Sequence, residues 1–302
     1  MREPDGVLLN GIDGANPLGY LAALGVLRLL TLRSSEFTIR MKWVQSAGAW
    51  RPVVVGIHRL TPTRVLARVW KQLLKFPFLG PAGFDKNVKM LPDKFRQSII
   101  TAPDHEYGAC LASDAVLDQK GNVAKSRLQM VNGGKRQDYL PIIENVKKQC
   151  TPQHVHRCMF EEWRYSDPMA VLSLRWDPRD DRRHAYRWED PSEASTRQKG
   201  CELGASRLAI EALPMFPVCC SGRRARTAGF AADGERFRWP IWVYPATLVV
   251  AQSLLNSADL HSEDGKSAAA LRALGIGQVY SSVRFAVDKY QTASFSVSEV
   301  WR

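Results

Sequence analysis

The sequence predicts an α+β fold, in which a β-α-β-β-α unit opens the chain and a mixed α/β half follows. Three patterns predict it: a short apolar strand followed by an almost wholly apolar helix, then two alternating segments, then an amphipathic helix. The chain has 302 residues, of which 45% are hydrophobic. It is therefore long enough to bury a sizeable core, and its composition excludes a disordered or collagen-like protein.

Local signals mark each element of the first unit. Residues 7–12 form a short apolar strand, and Asn16-Pro17 begins a helix that extends to about residue 30, because Asn caps free N–H groups and Pro loses no bond there. Gly19 and Gly25 would let another backbone approach this helix. Two strands at 37–44 and 50–57, joined by a turn at 46–48, precede a helix that begins at Thr61.

This order of elements, completed by one further strand, is a ferredoxin-like unit, the architecture that RNA-recognition (RRM-like) modules also use. The remaining predicted elements are helices at 92–101, 144–163 (restarting near 151–152), 201–215 and 245–255, strands at 171–176, 184–188 and within 276–300, and a hairpin over 225–244. We divide the chain into a ferredoxin-like part with a loop-rich insertion, residues 1–150, and an α+β part, residues 151–302, which can equally form one continuous domain.

Charge and cysteine usage indicate the class of partner and the compartment. With 42 Lys and Arg against 30 Asp and Glu, the formal charge is +12, which favours a polyanion as the partner. No apolar run approaches the roughly 20 residues of a membrane span, so no membrane partner is expected. The six cysteines show no C-x-x-C spacing, which predicts reduced thiols in the cytoplasm.

The strongest local feature is a stretch without acidic residues. Residues 37–84 contain eight Lys and Arg and no Asp or Glu. Four of these cations, Arg64, Arg68, Lys71 and Lys75, are spaced four, three and four residues apart, so they form one stripe on the helix that begins at Thr61. Like charges at that spacing repel. The stripe therefore predicts a nucleic acid or a strongly acidic partner, against the alternative of a solvated helix face.

A second basic cluster lies in the C-terminal half. Arg223, Arg224 and Arg226 are followed by Arg236 and Arg238, with Phe230, Phe237, Trp239 and Trp242 between and beside them. Arginine forks bind phosphate and aromatic rings stack on bases, so the pattern suits single-stranded nucleic acid. Alternation in a hairpin can equally direct the rings into the core. Lys135 and Arg136 follow Asn132-Gly133-Gly134 in a loop that lacks the full P-loop pattern but can contact phosphate.

An acidic turn offers an alternative function. Asp177, Asp180 and Asp181, with His184, could hold Mg²⁺ in a metal-dependent nuclease. Neighbouring arginines neutralise them almost one for one, so a turn stabilised by Asp–Arg pairs is the favoured interpretation. His154-x-His156-x-Cys158 lacks a second pair at zinc spacing. No catalytic signature occurs in the sequence, and no metal or other cofactor is expected.

Two segments resemble proteins of type I-G (formerly I-U) CRISPR loci. The run from Leu9-Asn10-Gly11 through Asn16-Pro17-Leu18-Gly19-Tyr20 to Arg28 is similar to the opening of large-subunit-type proteins. The motifs Leu174-Arg175-Trp176-Asp177-Pro178, Asp181-Arg182-Arg183, Ala185-Tyr186 and Arg207 to Pro214 resemble, in this order, a family of about this length from the same loci, associated with the helicase-nuclease or its effector complex. The long large-subunit proteins are more than twice this length, so the chain departs from them.

The resemblance implies a non-catalytic subunit of a Cascade-type, RNA-guided antiviral effector complex. Such a subunit binds crRNA or the target DNA backbone, or recruits the nuclease, alongside other effector subunits. The resemblance carries over no catalytic residue. The residues expected to hold nucleic acid are Arg64, Arg68, Lys71, Lys75, Lys135, Arg136, Arg223, Arg224 and Arg226. The alternatives are the metal-dependent nuclease and an adaptor that binds only proteins in the same system.

Overall fold

The computed structural model of the chain describes residues 6–32, 39–56, 60–75, 83–101, 105–133, 138–167, 173–180, 200–286 and 293–302. These residues form a mixed α+β fold in which helices pack against several small antiparallel sheets. No helix in these ranges is long and apolar enough to cross a bilayer.

The N-terminal elements follow the predicted order. They are β1 (Val7–Leu8), α1 (Pro17–Thr31), β2 (Arg40–Ser46), β3 (Ala49–Val55) and α2 (Pro62–Lys75). The Asn16 side chain caps α1 by accepting hydrogen bonds from the N–H groups of Leu18 and Gly19, as predicted. Ala47 and Gly48 both adopt positive φ in the turn between β2 and β3, which matches the twist of a two-residue hairpin. β1 is shorter than the predicted strand.

The ferredoxin-like unit is not confirmed. β1, β3 and β2 form one antiparallel sheet in that order, and within the described residues no fourth strand pairs with β1. The next strand along the described chain is β4 (Ala112–Leu117), and it pairs with β5 (Val123–Lys125) in a separate sheet. The opposite edge of the first sheet is instead bridged by the C-terminal half, since Met41 of β2 exchanges both backbone hydrogen bonds with Ala246.

The middle of the chain is more helical than the sequence predicted. α3 (Pro92–Ile100), α5 (Tyr139–Gln149) and α6 (Pro152–Phe160) lie at or near predicted helices, and α4 (His105–Leu111) was not predicted. α6 restarts at the expected place, where Thr151 and His154 form a reciprocal capping box.

The C-terminal half contains a four-stranded sheet centred on β9. Its elements are α7 (Leu203–Ala212), β6 (Val218–Ser221), β7 (Arg224–Thr227), β8 (Arg236–Trp242), α8 (Leu248–Leu255), α9 (Gly265–Ala273), β9 (Ile276–Ala286), β10 (Ala293–Phe295) and β11 (Glu299–Val300). β8, β10 and β11 all pair with β9 in antiparallel fashion. A single-turn 3-10 helix, Pro178–Asp180, precedes α7.

Two predicted strand assignments differ from the structure. The hairpin predicted over 225–244 is wrong. β7 pairs with β6, the preceding strand, across the turn at Gly222 and Arg223, whereas β8 pairs with β9. A single bridge between Phe230 and Phe237 remains from the predicted pairing. The described part of the strand predicted at 171–176, residues 173–176, is irregular, and the strand predicted at 184–188 lies outside the described residues.

Two helices from opposite halves of the chain form the centre of the core. α1 is buried over almost its whole length and packs against α7. Gly25 makes this approach possible, since a Cβ added there would lie 1.9 Å from the backbone oxygen of Leu208. One cluster of buried side chains accordingly contains residues from both sides of position 150.

Stacked aromatic rings extend this core between the two larger sheets. Tyr20 of α1 stacks on Trp43 of β2, with ring centroids 5.8 Å apart, and also contacts Trp239 and Trp242 of β8. Both indole N–H groups of β8 are satisfied: Trp239 donates to the carbonyl of Gly14, and Trp242 to that of Met41. The rings therefore connect β8 to the first sheet through stacking contacts and indole hydrogen bonds as well as through apolar burial.

A buried charge network closes the other end of the helix pair. The Glu211 carboxylate of α7 is fully buried and accepts hydrogen bonds from the Tyr107 hydroxyl at 2.6 Å and the Arg207 guanidinium at 2.5 Å. Arg28 of α1 lies 3.5 Å from the same carboxylate and donates to Tyr107 and to Glu106. Burial, followed by the Glu211 charge, raises the pKa of Tyr107, so its hydroxyl remains a donor.

Candidate nucleic-acid interface

α2 separates an apolar face from a basic one. Val65, Val69 and Leu73 recur every four residues and are buried against the core, in which α2 packs on α1, α6 and β1. The helix begins where the Thr61 hydroxyl accepts a hydrogen bond from the N–H of Arg64. Lys75 lies in the last turn, where a cation is favoured by the helix dipole.

The predicted stripe lies on the exposed side of α2. Arg64, Lys71 and Lys75 are exposed and Arg68 is half-buried, so all four lie away from the buried face. Among the described residues, Arg64 and Lys71 pair with no carboxylate. Elsewhere in the described chain, arginines that do have acidic partners are Arg28, Arg96, Arg127, Arg157, Arg207, Arg236, Arg238 and Arg284. The positive charges of Arg64 and Lys71 are therefore left for a partner.

The first sheet carries further cations on the face opposite α1. Met41 and Trp43 face α1 and are buried, so the alternating residues Arg40 and Lys42 point to the other face. Arg51 of β3 lies opposite Val44 in the register and so shares that face. In the described part of the chain none of the three pairs with a carboxylate. This face extends the region of uncompensated positive charge beyond α2.

The second predicted cluster sits on the β6–β7 hairpin. Arg223 and Arg224 are exposed at its turn, and Arg226 is half-buried beside it. The pKa of the nearby His261 imidazole is lowered to about 4, first by burial and then by the positive charges of Arg226 and Arg238. His261 is therefore neutral at pH 7. The hairpin packs on α4 and β4, whereas α2 packs on α1, α6 and β1, so the two clusters are carried by different parts of the fold.

The aromatic residues beside the second cluster are not available to stack on bases. Phe230, Phe237, Trp239 and Trp242 are almost fully buried in the core. Arg238 is also buried, where its guanidinium covers the Trp301 ring at 3.7 Å and donates to the carbonyl of His261. Any contact of the hairpin with nucleic acid therefore depends on arginine and phosphate rather than on stacking.

The loop that contains Lys135 and Arg136 lies outside the described residues, but the residues before it reveal two cations that sequence reasoning missed. Lys125 of β5 donates to the side-chain oxygen of Asn132 at 2.7 Å, and Lys89 donates to the backbone oxygen of Asn132 at 3.2 Å. The three positions are separated by 36 and 7 residues, and no spacing rule connects them. Only the Asn132-Gly133 turn gave a sequence signal.

Lys125 makes stability dependent on pH. Burial, followed by the like charge of Lys89, lowers the pKa of Lys125 to about 8, and Asp118 and Asp85 only partly oppose this shift. The folded state therefore releases this proton near pH 8, whereas the unfolded chain retains it until about pH 10.4. Relative to Lys125→Met, the wild type should gain roughly 1–3 kcal/mol of unfolding free energy between pH 7 and pH 10.

Urea unfolding of both proteins at several pH values measures that difference, and the comparison removes the titration of all other groups. Lys120→Met is the matched control, because Lys120 is exposed in the turn between β4 and β5. Its curve should remain parallel to that of the wild type. Parallel curves for Lys125→Met as well would show that Lys125 titrates normally.

The acidic turn of the alternative hypothesis is only partly within the described ranges. Asp177 is buried and accepts hydrogen bonds from the Arg179 N–H at 3.0 Å and the Asn16 amide at 3.4 Å. Burial raises the pKa of its carboxyl group. Asp181 and His184 lie outside the described residues. In the part of the chain that is described, no group of three or more His, Cys, Asp or Glu side chains is placed to hold a metal ion.

Comparisons with known protein families, with curated proteins and with solved structures found no match to this chain.

Proposed function

We propose that the chain is a non-catalytic, cytoplasmic subunit that binds a nucleic-acid backbone through the basic stripe of α2. The resemblance to type I-G CRISPR proteins suggests that the polymer is the crRNA or target DNA of an RNA-guided effector complex. Other effector subunits, including the helicase-nuclease, are the expected protein partners. We further propose that β1, α1, β2, β3 and α2 belong to a ferredoxin-like unit.

One observation carries the proposal: α2 exposes a line of cations on a stretch of chain that has no carboxylate. Residues 37–84 contain eight Lys and Arg and no acidic residue, and Arg64 and Lys71 find no acidic partner in the structure's described ranges. Along a helix, residues four and three apart lie about 5–6 Å from one another. Successive phosphates of a nucleic acid are spaced on a similar scale, so such a stripe can follow a backbone and release its counterions.

The proposal predicts a loss of affinity that does not depend on sequence. A variant with Arg64→Gln, Arg68→Gln, Lys71→Gln and Lys75→Gln should bind single-stranded RNA or DNA roughly 100-fold more weakly at low salt. The slope of log affinity against log salt should also fall by about 3, since each lost phosphate contact removes about 0.7 for a single strand. Fluorescence anisotropy with two unrelated sequences, over a salt series, measures both quantities.

A matched control separates the stripe from the net charge. Lys94, Lys120, Lys148 and Arg272 are exposed cations on other elements, and changing all four to Gln removes the same charge. This control should retain most of the affinity and of the salt slope. Equal losses in both variants would refute a site on α2 and leave only a general effect of charge. Unchanged binding by a folded α2 variant would also remove the site.

The β6–β7 hairpin is tested in the same assay. Arg223→Gln, Arg224→Gln and Arg226→Gln together should lower the salt slope by about 2 if all three contact a single-stranded backbone. Because the hairpin and α2 are carried by different parts of the fold, the effects of the two variants should add if one polymer spans both. An unchanged slope would restrict the interface to α2.

A further inference from the structure

The turn at Asn132 is held in place by hydrogen bonds from buried amide side chains. Gln129 is buried and donates from its amide to the carbonyls of Asn87 and Val131 and to the side-chain oxygen of Asn132. Asn87 is buried as well, accepting from the N–H of Tyr139 and donating to Asp138 at 2.7 Å. The loop that carries Lys89, the strand end that carries Lys125 and the start of α5 are thereby fixed to one another.

The backbone of this region is also constrained. Val88, directly before Lys89, is fully buried and has φ of 56°, a left-handed conformation that β-branched residues rarely adopt. Gly133, directly after Asn132, has φ of 88°, and a Cβ there would lie 2.7 Å from the Asn87 amide nitrogen. Strain held in place by surrounding hydrogen bonds is common at ligand sites. Here it positions Lys89 and Asn132 beside each other.

The carboxylates around the turn have hydrogen-bond or ion-pair partners, whereas two of its lysines have no carboxylate partner among the described residues. Asp85 accepts from the N–H groups of Asn87 and Lys89, and Asp118 accepts from those of Lys120 and Asn122. Asp138 is occupied by the Lys86 ammonium at 2.9 Å. In contrast, within the described residues neither Lys89 nor Lys125 pairs with a carboxylate, although Lys125 is half-buried. Two ammonium groups thus meet at one asparagine, and among the described residues no carboxylate contacts either of them directly.

We propose that Lys89 and Lys125, held on the two oxygens of Asn132, form a binding site for one phosphate group. Each ammonium has three N–H donors and uses one of them on Asn132, so two remain on each for phosphate oxygens. A phosphate would supply the missing negative charge to both lysines. The ligand is a phosphate monoester, free phosphate, or a phosphodiester of a nucleic-acid backbone. This site does not depend on α2.

The test uses NMR of protein labelled with ¹³C at lysine Cε, whose shift reports the charge of each amine. The Lys125 signal is assigned by its loss in Lys125→Gln. The pH is titrated in three salts at equal ionic strength. Sodium chloride supplies no phosphate ligand, inorganic phosphate supplies a dianion like a phosphate monoester, and dimethyl phosphate supplies a diester. Phosphate should raise the pKa of Lys125 above the value that the same titration gives in chloride. The other groups that influence it are Lys89, Asp118, Asp85 and Arg284.

Variants establish whether the two lysines act together. Lys89→Gln should raise the pKa of Lys125 in chloride, because it removes a like charge, and should weaken phosphate binding about 10-fold. Lys120→Gln is the control and should change neither. An effect of inorganic phosphate alone identifies a free or terminal phosphate, and an effect of both probes identifies a backbone phosphate. The site does not exist if the pKa of Lys125 is the same in both phosphate probes as in chloride, or if Lys89→Gln leaves phosphate binding unchanged.

Discussion

Glu211→Leu should lower the free energy of unfolding by roughly 3–5 kcal/mol, because it removes the buried counter-charge of Arg207 and leaves Arg28 with the exposed Glu106. Arg28 and Arg207 have only 4% of their side-chain surface exposed, and both lie within 3.5 Å of this carboxylate. Tyr107 also loses the acceptor of its hydroxyl. Urea unfolding at pH 7, followed by circular dichroism, measures the loss.

The other acidic member of the network provides the control. Glu106 binds Arg28 at 2.8 Å, but 64% of its side chain is exposed. Because water replaces an exposed carboxylate at little cost, Glu106→Gln should change stability by less than about 1 kcal/mol. Glu211→Gln keeps the shape and one acceptor, so it should fall between the two. Similar values for Glu106→Gln and Glu211→Leu would contradict the assignment of Glu211 as the central counter-charge.

Gly25→Ala should be the most damaging single-methyl change in α1. The added Cβ would lie 1.9 Å from the oxygen and 2.7 Å from the carbon of the Leu208 carbonyl. A backbone carbonyl in the middle of α7 cannot turn aside as a flexible side chain can, so the two helices must separate. We expect a loss of about 3 kcal/mol or more, at the upper end of overpacking effects. Thermal and urea unfolding measure it.

A second helical glycine shows whether the effect comes from the contact or from the residue type. Gly265, at the start of α9, has no neighbouring atom within 4 Å of the position of an added Cβ. Gly265→Ala should therefore be neutral or slightly stabilising, since alanine favours the helix. If Gly25→Ala behaves like Gly265→Ala, α1 and α7 do not approach as closely as described.

Local signals were sufficient for the elements that depend on local chemistry. The cap at Asn16, the turn at Ala47 and Gly48 and the start of α2 after Thr61 were all predicted, because each is decided within a few residues. The exposed stripe on α2 was predicted for the same reason, since helical spacing alone places its four cations on one side. These are features that a single sequence can specify.

Long-range pairing was not predictable in the same way. The chain turns at Gly234, but across this turn only Phe230 and Phe237 form a bridge, whereas β7 pairs with β6. β8 pairs with β9, whose residues lie about 40 positions further along, so no local rule selects it. The meeting of Lys89 with Lys125 depends in turn on buried Gln129 and Asn87. In the sequence alone these two amides look like ordinary loop residues, because their role depends on contacts that only the fold creates.

The pairing of early with late residues governs the order in which the protein can fold. Met41 bonds to Ala246 and accepts the indole N–H of Trp242, and α1 packs most extensively on α7. About two hundred residues must therefore be synthesised before the apolar surface of α1 can be fully covered. Contacts of such sequence separation slow folding and leave intermediates exposed. Nascent chains of this protein should accordingly depend on chaperones until α7 has emerged.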